Sequence, residues 1–121
     1  MKILSIDHVQ IAMPDGEEGK ARTFYVDILG FTETPKPPEL AMRGGAWFSS
    51  GNVQLHLGVE KDFRPARKAH PAFIVEQLDS LTTKLQQAGY EVDLSQPTLD
   101  GYKRAHVFDP FGNRIELMER L

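Results

Sequence analysis

Residues 108–120 read Phe-Asp-Pro-Phe-Gly-Asn-Arg-Ile-Glu-Leu-Met-Glu-Arg. Pro110, Phe111, Gly112 and Asn113 are turn chemistry, since proline presets φ and glycine and asparagine tolerate the left-handed region. The flanking runs KRAHVFD (103–109) and RIELMER (114–120) read as the two strands of a hairpin. Side chains alternate along a strand, so Ile115 and Leu117 take one face and Glu116 the other. A half-buried carboxylate there needs a partner, either an arginine such as Arg104 or Arg114 or a metal ion.

A second hairpin of the same kind lies about 60 residues earlier. AWFSS (46–50) and VQLHLGV (53–59) flank a Gly51-Asn52 turn, and SSGNVQL lines up with PFGNRIEL if Gln54 is set opposite Glu116. Each hairpin closes a similar series. Residues 3–13 alternate as a strand, 17–29 carry Ala21, Phe24, Tyr25, Ile28 and Leu29 at helical spacing before Gly30, and 31–36 read as a short strand. Residues 35–45 hold three prolines and two glycines and read as a loop. After a polar linker at 60–69 the pattern restarts: strand 70–75, a capped helix 79–89 ending in glycine, strand 90–94, then the last hairpin. The order is βαβββ twice. The expectation is an α+β chain of paired βαβββ modules, the first about 1–60 and the second about 69–121, whose curved mixed sheet encloses a cleft in a single domain.

Composition narrows the function. The charge of −3 and scattered basic residues argue against a nucleic-acid partner. No cysteine is present, so disulfides, thiolate metal sites and cysteine nucleophiles are excluded. No run reaches the roughly 20 apolar residues of a membrane span. The opening MKILSIDHVQIAMPDGEE lacks the uninterrupted apolar core of a signal peptide, so a cytoplasmic protein is expected.

Four histidines, His8, His56, His70 and His106, are the other candidates for chemistry. His8 and His70 occupy the first strands of the two halves, Glu116 the last. If the halves pair about a pseudo-twofold axis, these three converge, and two imidazoles with one carboxylate suit a divalent first-row ion with open positions. A strand histidine also often serves only as a surface or core residue, the plainer reading for His106.

The stretches IDHVQIAMPD (6–15), ARTFYVDILGF (21–31), AHPAFIV (69–75) and FDPFGNRIELMER (108–120) resemble the vicinal oxygen chelate superfamily, which includes glyoxalase I, bleomycin-resistance proteins, fosfomycin-resistance thiol transferases and extradiol dioxygenases. The resemblance implies that His8, His70 and Glu116 ligate one divalent metal, with zinc, nickel, manganese or iron all open. It also implies a homodimer with small-molecule substrates. In bacterial-type glyoxalase I the fourth position is a glutamate. Here Gln54 aligns with it, and His56 shares its strand face, so either is the candidate fourth ligand or base. Gln10, Trp47 and Arg104 are candidate substrate contacts, with one of Trp47 and Phe48 facing away from the core. The implied activity is a metal-dependent lyase, isomerase or thiol transferase. The alternatives are a metal-free drug- or metabolite-binding protein and an extradiol-type dioxygenase.

Overall fold

The computed structural model describes residues 1–121, which divide into two compact units, Met1–Phe63 and Arg64–Leu121. The first carries β1 (Val9–Met13), helix α1 (Glu18–Arg22) continuing as a π-helical segment (Thr23–Ile28), β2 (Thr32–Thr34), the single turn α2 (Pro38–Ala41), β3 (Ala46–Ser50) and β4 (Val53–Val59). The second carries β5 (Ala72–Ile74), α3 (Leu78–Gln87), β6 (Val92–Asp93), β7 (Tyr102–Phe108) and β8 (Arg114–Arg120). Their sheets have the same topology, β1-β4-β3-β2 and β5-β8-β7-β6, each with one parallel pair and two antiparallel pairs. The expected βαβββ repeat is the observed fold.

In the first unit Phe24, Tyr25, Phe48, Leu55 and Met13 are fully buried. Tyr25 stacks on Phe48 at 5.5 Å and meets Phe24 edge-on at 4.8 Å. Phe48 therefore belongs to the core, and its strand neighbour Trp47 takes the opposite face. The helical segment ends where Gly30 adopts φ +83°, letting the Phe31 amide fold back to the Tyr25 carbonyl at 2.9 Å.

In the second unit α3 packs Leu78 and Leu85 onto β6, β7 and β8, over a core of Ala105, Val107, Ile115 and Leu117. The expected N-terminal cap within the helix sequence is not what closes it. Gln77 and Leu78 donate their amides to the Glu119 carboxylate of β8, at 2.9 and 3.1 Å. The cap comes from the sheet, forty-odd residues away, which local sequence cannot reveal.

Two boundaries also differ from expectation. Strand β1 begins at Val9 rather than at residue 3, because Val9 pairs with Leu55 and β4 starts only two residues before that. The residues ahead of it have no strand to pair with. Within the expected loop 35–45, Pro38 opens the turn α2, its fixed φ suiting a first helical position.

Candidate metal centre

The Asp109–Asn113 turn explains how β8 is set in place. The Asp109 carboxylate accepts the amides of Phe111 at 2.9 Å and Asn113 at 2.8 Å, and the Asn113 side-chain amide at 3.1 Å. Asn113, fully buried, also accepts the Ala66 amide at 3.0 Å, and Arg114 donates to the Ala66 carbonyl at 2.9 Å. The turn is thus tied to the segment entering β5. Glu116 donates its amide to Pro71 at 3.0 Å, which locks His70 and Glu116 into one register.

That register builds a cluster. His70 Nε2 lies 2.9 Å from Glu116 Oε1, and His106 Nε2 lies 3.4 Å from the same oxygen. The ligating atoms of the three residues all fall within 4.8 Å of one another. Donors sharing one ion at bonds of about 2.0–2.2 Å stand roughly 3 Å apart, which the 2.9 and 3.4 Å approaches to Glu116 Oε1 match. Arg104 donates to Glu116 Oε2 at 3.2 Å and to the Pro97 carbonyl at 2.6 and 2.9 Å. It pins the carboxylate while leaving Oε1 to the histidines. Burial alone would raise the Glu116 carboxyl, but hydrogen bonds from His70 and Arg104 hold it below the usual carboxylate range. Burial, with Arg114 nearby, pushes the His106 imidazole down, which favours the neutral ring that can ligate.

The second nitrogen of His70 decides what the cluster wants. Its Nδ1 contacts the Lys68 carbonyl at 2.8 Å. A carbonyl only accepts, so Nδ1 carries the proton. The 2.9 Å contact of Nε2 with Glu116 Oε1 is then a hydrogen bond if Nε2 is also protonated, and a meeting of two lone pairs if the ring is neutral. Two lone pairs at that distance repel unless a cation joins them, either a second proton or a metal ion. A metal-ligating histidine has this arrangement, with its outer N–H held by a carbonyl. His106 Nδ1, buried and without a hydrogen-bond partner, lacks such support.

The first unit builds a different constellation on the equivalent face. His56 is paired with Gln10 on β1 and Trp47 on β3, and its ring is stacked between His8 at 4.2 Å and Trp47 at 4.0 Å. His8 Nδ1 lies 2.9 Å from Asp7. Burial, then the neighbouring His8, lowers the His56 imidazole below its ordinary value. Gln54 is half-buried on the same face, opposite Ser49.

Registers correct the alignment of the two hairpins. His56 pairs with Gln10 and Trp47 as Glu116 pairs with Ala72 and His106. His56, not Gln54, therefore holds the place of Glu116, and Trp47 that of His106. The β3–β4 ladder runs one residue pair further before its turn, an offset the matching Gly-Asn pairs conceal. His8 and His70 each stand two residues before the paired position. Of the sequence-derived candidates, the second unit brings together His70, Glu116 and Arg104, and the first brings together His8, Gln10, Trp47 and His56. His106, taken from sequence as a sheet histidine, joins the cluster. Its place on the face of Arg104 was the available signal.

The sequence profile of the glyoxalase/bleomycin resistance protein/dioxygenase superfamily matches residues 5–117. The chain belongs to this superfamily. A solved structure described as a glyoxalase family protein from Bacillus anthracis is 49% identical, over 100% of this chain and 98% of that one, with a TM-score of 0.89. The superfamily fold also recurs at lower identity. The fosfomycin resistance protein FosX from Listeria monocytogenes is 17% identical, over 99% and 96% of the two chains, TM-score 0.78. TnmS3, an antibiotic-binding protein from Streptomyces sp. CB03234, is 23% identical, over 100% and 99%, TM-score 0.74. No curated protein matches the chain significantly. No helix of this superfamily member is long and apolar enough to cross a membrane.

Proposed function

We propose that this glyoxalase-superfamily protein is a divalent-metal-dependent enzyme, a lyase, isomerase or thiol transferase acting on a small substrate that offers neighbouring oxygens. The observation that carries the reading is the 2.9 Å approach of His70 Nε2 to Glu116 Oε1, with Nδ1 of the same ring 2.8 Å from the Lys68 carbonyl. His70 and Glu116 would hold the ion. His8, the position matching the family's first-strand ligand, is proposed as the third, and His106 Nε2 as a further donor in reach of Glu116. When bound, such an ion supplies Lewis acidity to substrate oxygens. Arg104 keeps Glu116 ionised and oriented, and the neutral His56 ring is the proposed base, with Gln54 beside it.

Elemental analysis of protein purified without chelators tests the reading. About one equivalent of zinc, nickel, manganese or iron per chain, lost in His70→Ala, is expected. Protein that neither retains nor takes up metal at micromolar concentration would overturn it.

We also propose that the protein acts as a homodimer. Ile3, Leu4 and Ile6 are 95%, 84% and 80% exposed, on an arm running into β1, the edge strand of its sheet. Apolar side chains clustered beside an unpaired strand edge favour cover by a second copy.

A metal-free binding protein is the second reading. The ring stack of His8, His56 and Trp47, with a cavity beside Trp47, favours it, because an aromatic wall at a cavity can hold a flat ligand without any ion.

A further inference from the structure

The first unit contains a cavity of about 300 Å³ bordered by Gln10, Lys36, Leu40, Arg43, Trp47 and Gly58. This is the lower end of the range for small-molecule sites. We propose that it binds the acidic end of a planar, conjugated carboxylate, with the carboxylate on Arg43 and the flat body against Trp47. This deepens the reading above, and rests on it only in taking the cavity as part of the substrate site.

The cavity is built by glycines. Gly44 and Gly45 both adopt positive φ, +75° and +83°, which brings the α2–β3 connection hard against β4. A Cβ on Gly45 would strike the Leu57 carbonyl oxygen, and one on Gly44 would lie 3.0 Å from Val59 Cγ2. Lys36 donates to the Gly44 carbonyl and ties the connection across α2. On the opposite wall Gly58 leaves the space that Gln10 fills, since a Cβ there would lie 2.6 Å from Gln10 Nε2. The side-chain amide of Gln10 is thereby held against bare backbone at the cavity wall.

The lining then specifies a chemistry. Arg43 is exposed at the rim, with no carboxylate paired to it. Its planar fork matches a carboxylate in two-point contact. Lys36 adds a second positive charge. Trp47 already carries His56 flat against its ring, 5° from parallel. Trp47 therefore offers the ligand a rigid aromatic wall whose orientation costs nothing further on binding. Gln10 can both donate and accept, and suits a polar group next to the conjugated system.

Trp47 is the only tryptophan, so all indole emission comes from the wall of this cavity. The test is a titration of metal-free protein with benzoate and with its neutral counterpart benzamide. Working without metal separates the outcome from that of the metal-centre reading. Saturable quenching by benzoate is expected, with benzamide weaker by about tenfold. Arg43→Gln should weaken benzoate by about tenfold and leave benzamide unchanged. Arg43 is exposed, so this variant should fold as the parent does, checked by its thermal midpoint. Gly58→Ala, which displaces Gln10, should weaken both ligands. Equal binding of benzoate and benzamide, an unaffected Arg43→Gln variant, or no saturable quenching up to about 20 mM benzoate would each overturn the proposal.

Discussion

Trp47 lies flat on His56, with ring centroids 4.0 Å apart and planes 5° from parallel. The contact joins the one tryptophan to a buried imidazole whose proton affinity burial has lowered. Its consequence is a pH-dependent signal. An imidazolium quenches indole more strongly than a neutral ring, so Trp47 emission should fall as pH drops, with a midpoint below the ordinary histidine value of about 6.5. Stability follows the same sign. A folded-state value below the unfolded one gives stability that is present above about pH 6.5 and lost as pH falls toward the folded value. His56→Gln should abolish the fluorescence titration and flatten the urea midpoint between about pH 7.5 and 5.5. An unchanged titration in the variant would assign the signal to another group.

Metal affinity should separate two candidate third ligands. Glu116→Gln and His70→Ala remove groups that face each other directly, and each should weaken binding by more than about 100-fold, the upper range for outer-shell losses. His8→Ala and His106→Ala distinguish the family position from the neighbour at 3.4 Å. The larger loss, read by competition with a chromophoric chelator, identifies the ligand. Arg104→Leu should cost less, about 10- to 100-fold, because it frees the carboxylate without removing a donor.

The Asp109–Asn113 turn should be a stability determinant with an effect at the cluster. Asp109→Ala leaves three donors without their acceptor, among them the amide of buried Asn113. At about 1–3 kcal/mol for a buried unsatisfied group, the total loss should be about 3 kcal/mol or more in urea unfolding. Asn113→Ala cuts the tie to Ala66 and should also weaken metal binding, since Ala66 leads into the segment bearing His70. Retained affinity in folded Asn113→Ala protein would show that His70 is placed by other contacts.

Two glycines with positive φ should respond unequally. Gly51 has φ +57° in the β3–β4 turn, with open space where a Cβ would sit, so Gly51→Ala should cost only the backbone strain, about 1–2 kcal/mol. Gly45→Ala adds a collision with the Leu57 carbonyl and should cost more, seen as a larger fall in Tm. Equal losses would mean that the α2–β3 connection yields to accommodate the methyl group.

The apolar arm gives the assembly prediction. Light scattering at micromolar concentration should report a dimer. Replacing Ile3, Leu4 and Ile6 together by serine should shift it toward monomer without loss of the folded core, which these exposed side chains do not enter. A monomeric parent protein would refute the dimer.

The amino-acid order alone carried the repeated βαβββ plan, because period-two and helical spacings, glycine stops and Gly-Asn turns are local signals written within a few residues of the elements they control. It also marked His8, His70 and Glu116, through resemblance and through the oddity of a carboxylate between apolar strand residues. The tertiary structure decided the rest. It assigned Phe48 to the core and Trp47 to the site face, put His56 rather than Gln54 in the place corresponding to Glu116, brought His106 into the cluster, engaged Arg104 with Glu116, and closed α3 with Glu119. Each of these depends on which strand lies beside which and in what register, and a shift of a single residue exchanges the two faces of a strand. Such pairings are set by hydrogen bonds and packing between segments distant in the chain, so no local window of sequence contains them.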